Sequence, residues 1–397
     1  MLELFFCLLG VGLGVFTGLA PGIHVNAVSL FLVSLAGMFD PALLAVAIIA
    51  LAVSHTFFDF VPSILLGAPD PETSLSVLPG HRMLLEGRAA EAIYLTLIGG
   101  LVSVAVTIPL LPLFLFVIPL FYSVVQNWIH VVLLLMLAAM LLGERKKKVA
   151  VLCFLLSGTL GLVTLNTPLI SRGAILFPIF TGLFGVSTLL LSFGSVAKVP
   201  QQKHKIRPVP LRMTLFGSFK GIISGLLVGT LPAVGASEAT TLSHQLSKGR
   251  GDDAREFLVS LGAVNTIVAV FSLISLYTIS KARSGAAVAV QSLLPNFQMP
   301  ELFVLVAVVL ASTGISALLL LKSMRWMVNA VQKIDYRKAT IVVMATLVLL
   351  VAWLTGPFGL LVMLVSTAIG VLPPLFGVKR VFSMGVLILP TILFYML

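Results

Sequence analysis

The sequence predicts an all-α polytopic membrane protein built from two repeats of inverted topology, each holding a re-entrant Gly/Pro hairpin and an interrupted helix. Three observations carry that expectation. Apolar runs of membrane-crossing length recur from one end of the chain to the other, a glycine–proline spacing occurs twice at one fixed offset, and the basic residues sit in short clusters between apolar runs.

Hydrophobic residues fill 59% of 397 positions and charged residues only 10%, where a soluble domain carries about 25% charged residues. Runs of about 18 residues at 1.5 Å per residue cross a hydrocarbon core of roughly 30 Å. They do not alternate apolar with polar, as barrel strands do, so helices are left as the way to satisfy the backbone in lipid. The apolar segments lie at 3–19, 23–37, 42–66, 92–120, 128–143, 149–165, 174–193, 213–231, 256–279, 284–295, 302–321, 339–355, 357–376 and 381–396. A net charge of +11 would suit nucleic acid if the 25 Lys and Arg shared one face. They cluster between spans instead, the pattern of cytoplasmic loops, so the bilayer and not nucleic acid is the expected partner. Cys7 and Cys153 both fall inside apolar runs, which points to neither a disulfide framework nor a metal site. Met1-Leu2-Glu3-Leu4 lacks a basic n-region and reads as the start of a retained helix.

Gly10, Gly14, Gly18 and Pro21 recur as Gly221, Gly225, Gly229 and Pro232, every pair separated by 211 residues. Small-residue ridges are ordinary packing surfaces in membranes, but packing alone does not account for the shared proline and register. A duplication does, giving a first transmembrane repeat at 1–197, a basic cytoplasmic linker at 198–212 and a second repeat at 213–397. The same offset sets Asp70 opposite Lys281 and Glu72 opposite Arg283.

Orientation follows from charge. The clusters Arg145–Lys148, Lys198–Arg212, Lys248–Arg255, Lys322–Lys338 and Lys379-Arg380 are all placed inside. Segments 149–165 with 174–193, and 339–355 with 357–376, then form hairpins between inside loops. The glycine–proline segment ending at Pro232 has basic flanks on both sides, Arg212 and Lys248, which a re-entrant hairpin with its tip at Pro232 reconciles. Its counterpart at Pro21 lies between Glu3 and Asp40 with no Lys or Arg between, and suits entry from outside. This is the inverted-repeat plan of many secondary transporters.

The breaks supply the candidate site residues. Proline and glycine leave backbone N–H and C=O groups without intrahelical partners, and these must be buried in protein or line a wet cavity. At the first tip the candidates are Pro21, Gly22, His24 and Asn26, and at the second Pro232, Gly235, Ser237 and Glu238, with Thr240 following. The positive end of a half-helix suits an anion and freed carbonyls suit a cation. A second pair of breaks lies at 67–74 and 280–285, and there Arg283 is the candidate to neutralise a carboxylate or phosphate, with Asp70 or Glu72 as its partner or as a coupling-ion or proton site. As loop ends, the same charges would carry no such role. Asp59, in Phe57-Phe58-Asp59-Phe60 and one turn after His55, is a coupling-ion or proton candidate, or else is tied structurally to His55. Asn265 faces the cavity or links helices. No Ser, His and acid set has a recognisable elbow or spacing, so no catalytic residue and no enzyme activity are expected.

Three stretches resemble a known family: Gly18-Leu19-Ala20-Pro21-Gly22; the run Pro62-Ser63-Ile64-Leu65-Leu66-Gly67-Ala68-Pro69, continuing through Leu78-Pro79-Gly80-His81-Arg82-Met83 to Gly87-Arg88-Ala89-Ala90-Glu91-Ala92; and Gly229-Thr230-Leu231-Pro232-Ala233-Val234-Gly235-Ala236. Together they resemble the large membrane subunit of the tripartite tricarboxylate transporters, the TctA family, in a short archaeal-type form. The resemblance implies that the Pro-Gly motifs frame a substrate site. His24 stands where that family has the second glycine of its Pro-Gly-x-Gly hairpin, Ala233 stands for the first glycine of the second copy, and Ser280-Lys281-Ala282-Arg283-Ser284 replaces a further Gly-Ile-Pro-Gly-like motif.

The expected function is that of a multi-pass permease of the cytoplasmic membrane, moving an anionic organic solute such as a carboxylate by secondary transport coupled to Na⁺ or H⁺, with no other cofactor. A polyprenyl- or lipid-phosphate translocase and a non-transporting membrane scaffold are the alternatives. Homodimerisation and a binding-protein partner are left open by the sequence.

Overall fold

The computed structural model describes residues 1–20, 25–66, 77–170, 172–192, 200–203, 205–235, 239–240, 253–333 and 336–397. Among these residues every regular element is helical, and ten helices are long and apolar enough to cross a membrane. The fold is an all-α bundle of the polytopic membrane type.

The chain opens with α1 (Leu2–Leu19), α2 (Val25–Ser34), α3 (Pro41–Phe58) and α4 (Phe60–Leu66). Asp40 caps α3, its Oδ1 accepting from the Ala42 N–H at 2.8 Å, and Pro41 occupies the first turn, where no N–H is needed. The division at Asp59 has a local cause: Pro62 has no N–H to give the Phe58 carbonyl. The ridge of Gly10, Gly14 and Gly18 packs on α3, where added side chains would strike Ala47 and Ala50, then Leu51 and Ser54, then His55 and Phe58. Both numberings rise together, so α1 and α3 run parallel. The Phe6 and Phe39 rings meet edge to face at 5.7 Å, so the chain has already returned to the end from which α1 set out.

The second glycine segment behaves alike. It forms α12 (Leu211–Thr230), which packs on α13 (Asp253–Ile279) with Gly221 against Ser260 and Ala263, Gly225 against Ile267 and Gly229 against Phe271. These helices are again parallel. The Ala239 carbonyl accepts from Ser224 Oγ at 3.1 Å, a contact that requires the chain to turn back between the end of α12 and Ala239. The helices ahead of the breaks have 18 and 20 residues, or about 27 and 30 Å, the length of a full crossing. Equivalent contacts on the two partner helices, Ala50 with Ala263 and Phe58 with Phe271, differ by 213 rather than 211. Counted at this 213-residue spacing, Asp70 rather than Glu72 falls opposite Arg283 in the sequence.

The two parallel pairs run in opposite directions. Helix α5 (Val77–Leu85) lies against the finishing end of α4, with Gly80 on Ile64 and His81 Nδ1 3.3 Å from the Ile64 carbonyl. Helix α6 (Ala89–Thr107) starts beside it, and the start of α13 meets the start of α6 where Arg255 Nε lies 2.9 Å from Glu91 Oε1. Helix α13 therefore runs along α6 and against α3. The linker docks at the same end: Lys203 N–H donates to the Gly87 carbonyl at 2.7 Å, and the Gln202 side chain accepts from the Ala89 N–H and donates to the Leu84 carbonyl.

The remaining helices are α7 (Leu111–Val125), α8 (Ile129–Leu142), α9 (Lys147–Leu165), α10 (Arg172–Phe180), α11 (Ser187–Ser192), α14 (Gly285–Leu293), α15 (Met299–Lys333), α16 (Tyr336–Leu375) and α17 (Gly385–Met396). A π-helical turn, Thr181–Val186, joins α10 to α11. The run expected as one segment over 92–120 divides between Thr107 and Leu111, where Pro109 and Pro112 interrupt the ladder. Helix α15 outruns the expected 302–321 because Lys322, Arg325 and Asn329 extend it into a polar end. Helix α16 breaks at Gly356, whose φ of +65° suits glycine, and restarts at Pro357, as the sequence division predicts. One apolar core gathers α1, α3, α6, α13 and α15; a second gathers α8, α9, α16 and α17 with Leu231 and Val234 from the second break. Phe16, Phe31, Trp326 and Trp353 face outward, as a lipid-facing surface requires.

Candidate functional site

Of the predicted site residues, Pro21, Gly22, His24, Asp70, Glu72, Ser237 and Glu238 lie outside the described residues. Asn26, Asp59, Pro232, Gly235, Asn265 and Arg283 are described, and they gather into two clusters.

The first cluster joins the two halves in the bundle interior. Asn265 of α13 donates through Nδ2 to Asp59 Oδ2 at 2.8 Å and approaches the Thr56 carbonyl at 3.5 Å, while Thr56 Oγ1 reaches Thr266 Oγ1 at 3.3 Å. Asp59 is 1% and Asn265 3% exposed. The amide orientation is set by its two acceptors, which leaves Asn265 Oδ1 buried and without a hydrogen-bond partner among the described residues. One turn before Asp59, His55 Nδ1 meets Thr17 Oγ1 of α1 at 3.0 Å. A hydroxyl beside an imidazole is the geometry of an activated nucleophile, yet here the Thr17 hydroxyl also points at the Gly14 carbonyl, 3.2 Å away. With its one proton given to that carbonyl, Thr17 accepts from the imidazole, and the contact ties α1 to α3. Thr17, Thr56 and Thr266 were not among the sequence candidates. Their helical spacing or adjacency to Asp59 and Asn265 was the available signal.

The second cluster surrounds the ends of α12 and α13. Ser275 Oγ donates to the Gly229 carbonyl at 2.6 Å, covering an acceptor freed by the break, and Thr230 Oγ1 donates to Leu226 O. Pro232 and Gly235 are part-buried, and Ala233 between them has φ +59°, a left-handed conformation at the position where the family pattern has glycine. The loop after α13 folds back, the Lys281 N–H approaching the Ser275 carbonyl at 3.4 Å, with Ser280 also left-handed at φ +53°. Arg283 follows, its guanidinium 5.5 Å from the centre of the Tyr122 ring on α7. Ser284 caps α14 by accepting from the Ala287 N–H, and Gly285 lies against the Asn26 side chain, leaving no room there for a Cβ. Asn26 of the first half thus packs on the start of α14, two residues along the chain from Arg283. Ser275 stands ten residues beyond Asn265, or about 15 Å along α13, so Asp59 and Arg283 belong to separate clusters. Tyr122 was also missed in the sequence, where it stands beside Phe121 in an apolar run.

At the start of α6, the resembled run Gly87–Ala92 is an ion-pair hub. Arg88 grips Glu91 at 3.1 and 2.9 Å and Glu86 at 3.0 Å, while Arg255 pairs with Glu91 and donates to the carbonyls of Arg207 and Pro208. The bond to Glu91 holds the Arg88 guanidinium above its ordinary pKa against the effect of burial. Two surface grooves of about 480 Å³, one lined by Leu211–Phe219 residues and one by Tyr94, Ile98 and 206–214, touch none of the candidate residues. Among the described residues no group of His, Cys, Asp and Glu is arranged to hold a metal ion.

The sequence model of the Tripartite tricarboxylate transporter TctA family matches residues 4–385, nearly the whole chain and both clusters. The chain belongs to the TctA family. An uncharacterised protein of Methanocaldococcus jannaschii is 28% identical over 409 residues, the alignment covering 100% of each chain. No solved structure matches. Membership of the TctA family together with the ten apolar helices makes this a multi-pass membrane protein of the permease class.

Proposed function

We propose that the chain is a secondary transporter of the cytoplasmic membrane that moves an anionic organic solute, a carboxylate, coupled to Na⁺ or H⁺. The family description brings in the carboxylate. The observation that carries the mechanism is the dry Asp59–Asn265 contact between two helix pairs that run in opposite directions. Polar groups buried inside a lipid-exposed bundle are costly and mark ion or substrate paths, and oppositely running pairs support the inverted-repeat plan, in which one half rocks against the other around a central site. Asp59 carries the coupling cation in this reading, and alternating exposure of the space between the halves carries the solute.

The test is uptake of labelled citrate and succinate into proteoliposomes under an imposed Na⁺ or pH gradient. Gradient-driven accumulation that Asp59→Asn removes, with the fold intact, is the expected result. Failure to accumulate either acid under both gradients, with or without a candidate binding protein, sinks the proposal. Single cysteines at Asp40 and Lys203 should label from opposite sides, because Asp40 sits where α3 begins and Lys203 docks where α3–α4 has finished.

A further inference from the structure

Arg283 presents a buried guanidinium edge. Its Nε and Nη2 are both buried and have no hydrogen-bond partner among the described residues. These two atoms form a single edge of the planar guanidinium, with parallel N–H bonds spaced to meet two oxygens of one anionic group. No carboxylate pairs with this guanidinium among the described residues; its recorded neighbour is the Tyr122 ring face, which attracts the cation without using either N–H. A buried cation with two unmade bonds costs stability that a structural role would not require. The surrounding backbone is itself held out of its easy conformations, at Ser280 and Ala233. The position is one where this chain departs from the family pattern, so the guanidinium is a feature of this chain's own site.

We infer that the Nε–Nη2 edge of Arg283, laid against Tyr122, receives the two oxygens of a substrate carboxylate, with Asn26 of the first half packed on Gly285, two residues along the chain. The inference rests on the transport reading above and assigns its anion-recognition residue. Tyr122 supplies a ring face that orients the guanidinium plane, and its hydroxyl takes no part. The carboxylate replaces the hydration that Arg283 lost on folding, so binding completes bonds that are unmade without it.

The test is equilibrium binding of labelled succinate and citrate to purified protein in lipid nanodiscs, for the wild type and for Arg283→Lys, Arg283→Gln, Tyr122→Phe and Tyr122→Leu. Lysine keeps the charge but loses the fork, so at least a tenfold weakening is expected; glutamine should abolish binding. Tyr122→Phe should bind as the wild type does, and Tyr122→Leu several-fold more weakly. The melting temperature of ligand-free Arg283→Gln should equal or exceed that of the wild type, whereas a guanidinium that merely glues helices predicts a fall. Wild-type affinity in Arg283→Lys, binding of inorganic phosphate or a polyprenyl phosphate in place of the carboxylates, or no binding of any probe would each overturn the assignment. The two proposals separate cleanly: undiminished uptake by Arg283→Gln proteoliposomes removes the site and keeps transport, and Arg283-dependent binding without uptake does the reverse.

Discussion

Replacing Glu91 by Gln removes one charge from the hub that joins α6, α13 and the linker. Glu91 is 2% exposed and receives two hydrogen bonds from Arg88, at 3.1 and 2.9 Å, and an ion pair from Arg255 at 2.9 Å. Charge-assisted contacts contribute about 1.5–3 kcal/mol each, and stripping one partner from a buried pair typically costs about 3–5 kcal/mol. Arg88 would keep Glu86, which is 41% exposed, and Arg255 would keep the carbonyls of Arg207 and Pro208. Water around Glu86 weakens that bond, so the compensation is partial and the expected loss is about 3 kcal/mol. Equilibrium unfolding in mixed micelles measures it, and Arg255→Gln in the same background should show a coupling of about 1–2 kcal/mol. Because the hub also holds the carbonyls at 207 and 208, limited proteolysis between 200 and 210 should accelerate. A loss under about 1 kcal/mol with no coupling would refute the view that this motif is a structural clamp.

Gly262→Ala should destabilise the bundle by about 1–3 kcal/mol, because the new methyl would strike the Thr96 backbone where α13 crosses α6, whereas Gly12→Ala, with open space around it, should unfold like the wild type. Ala233→Gly relieves a left-handed alanine, which costs about 1–2 kcal/mol, and after the entropy lost by glycine the net gain in unfolding free energy should be up to about 1 kcal/mol; a decrease would mean that the Cβ is needed for packing. His81 lies outside the spans and its pKa is lowered from 6.5, chiefly by burial and against the bond to the Ile64 carbonyl. The unfolded chain therefore binds the proton more readily, and stability should fall as pH drops below about 6.5. His81→Gln should remove that slope, and an unchanged slope would assign the titration elsewhere.

Much of the element order was legible because lipid imposes it. Length, hydropathy and proline placement predicted the restart at Pro357, whereas the division of the 42–66 run at Asp59 was not foreseen although Pro62 stood within it. The division of the 92–120 run was misjudged although Pro109 and Pro112 were in plain sight, because hydropathy does not register a turn made of apolar residues. The glycines are spaced by 211 residues but the contacts they make, at Ala50 and Ala263, by 213, a difference invisible until the packing is seen.

By itself the sequence determined that the chain lives in a bilayer as helices, that two segments share one glycine–proline spacing, and that Asp59, Asn265 and Arg283 stand in or beside apolar runs where charge or polarity is expensive. Only the tertiary structure decided which of them meet. Asp59 and Asn265 are 206 residues apart yet share a hydrogen bond, and Arg283 lies over the Tyr122 ring. Membrane insertion depends on each segment's own composition and so can be read one helix at a time. Partner choice among helices that are almost equally apolar depends on close packing at glycines and on a few buried polar contacts, and those exist only once the bundle has closed.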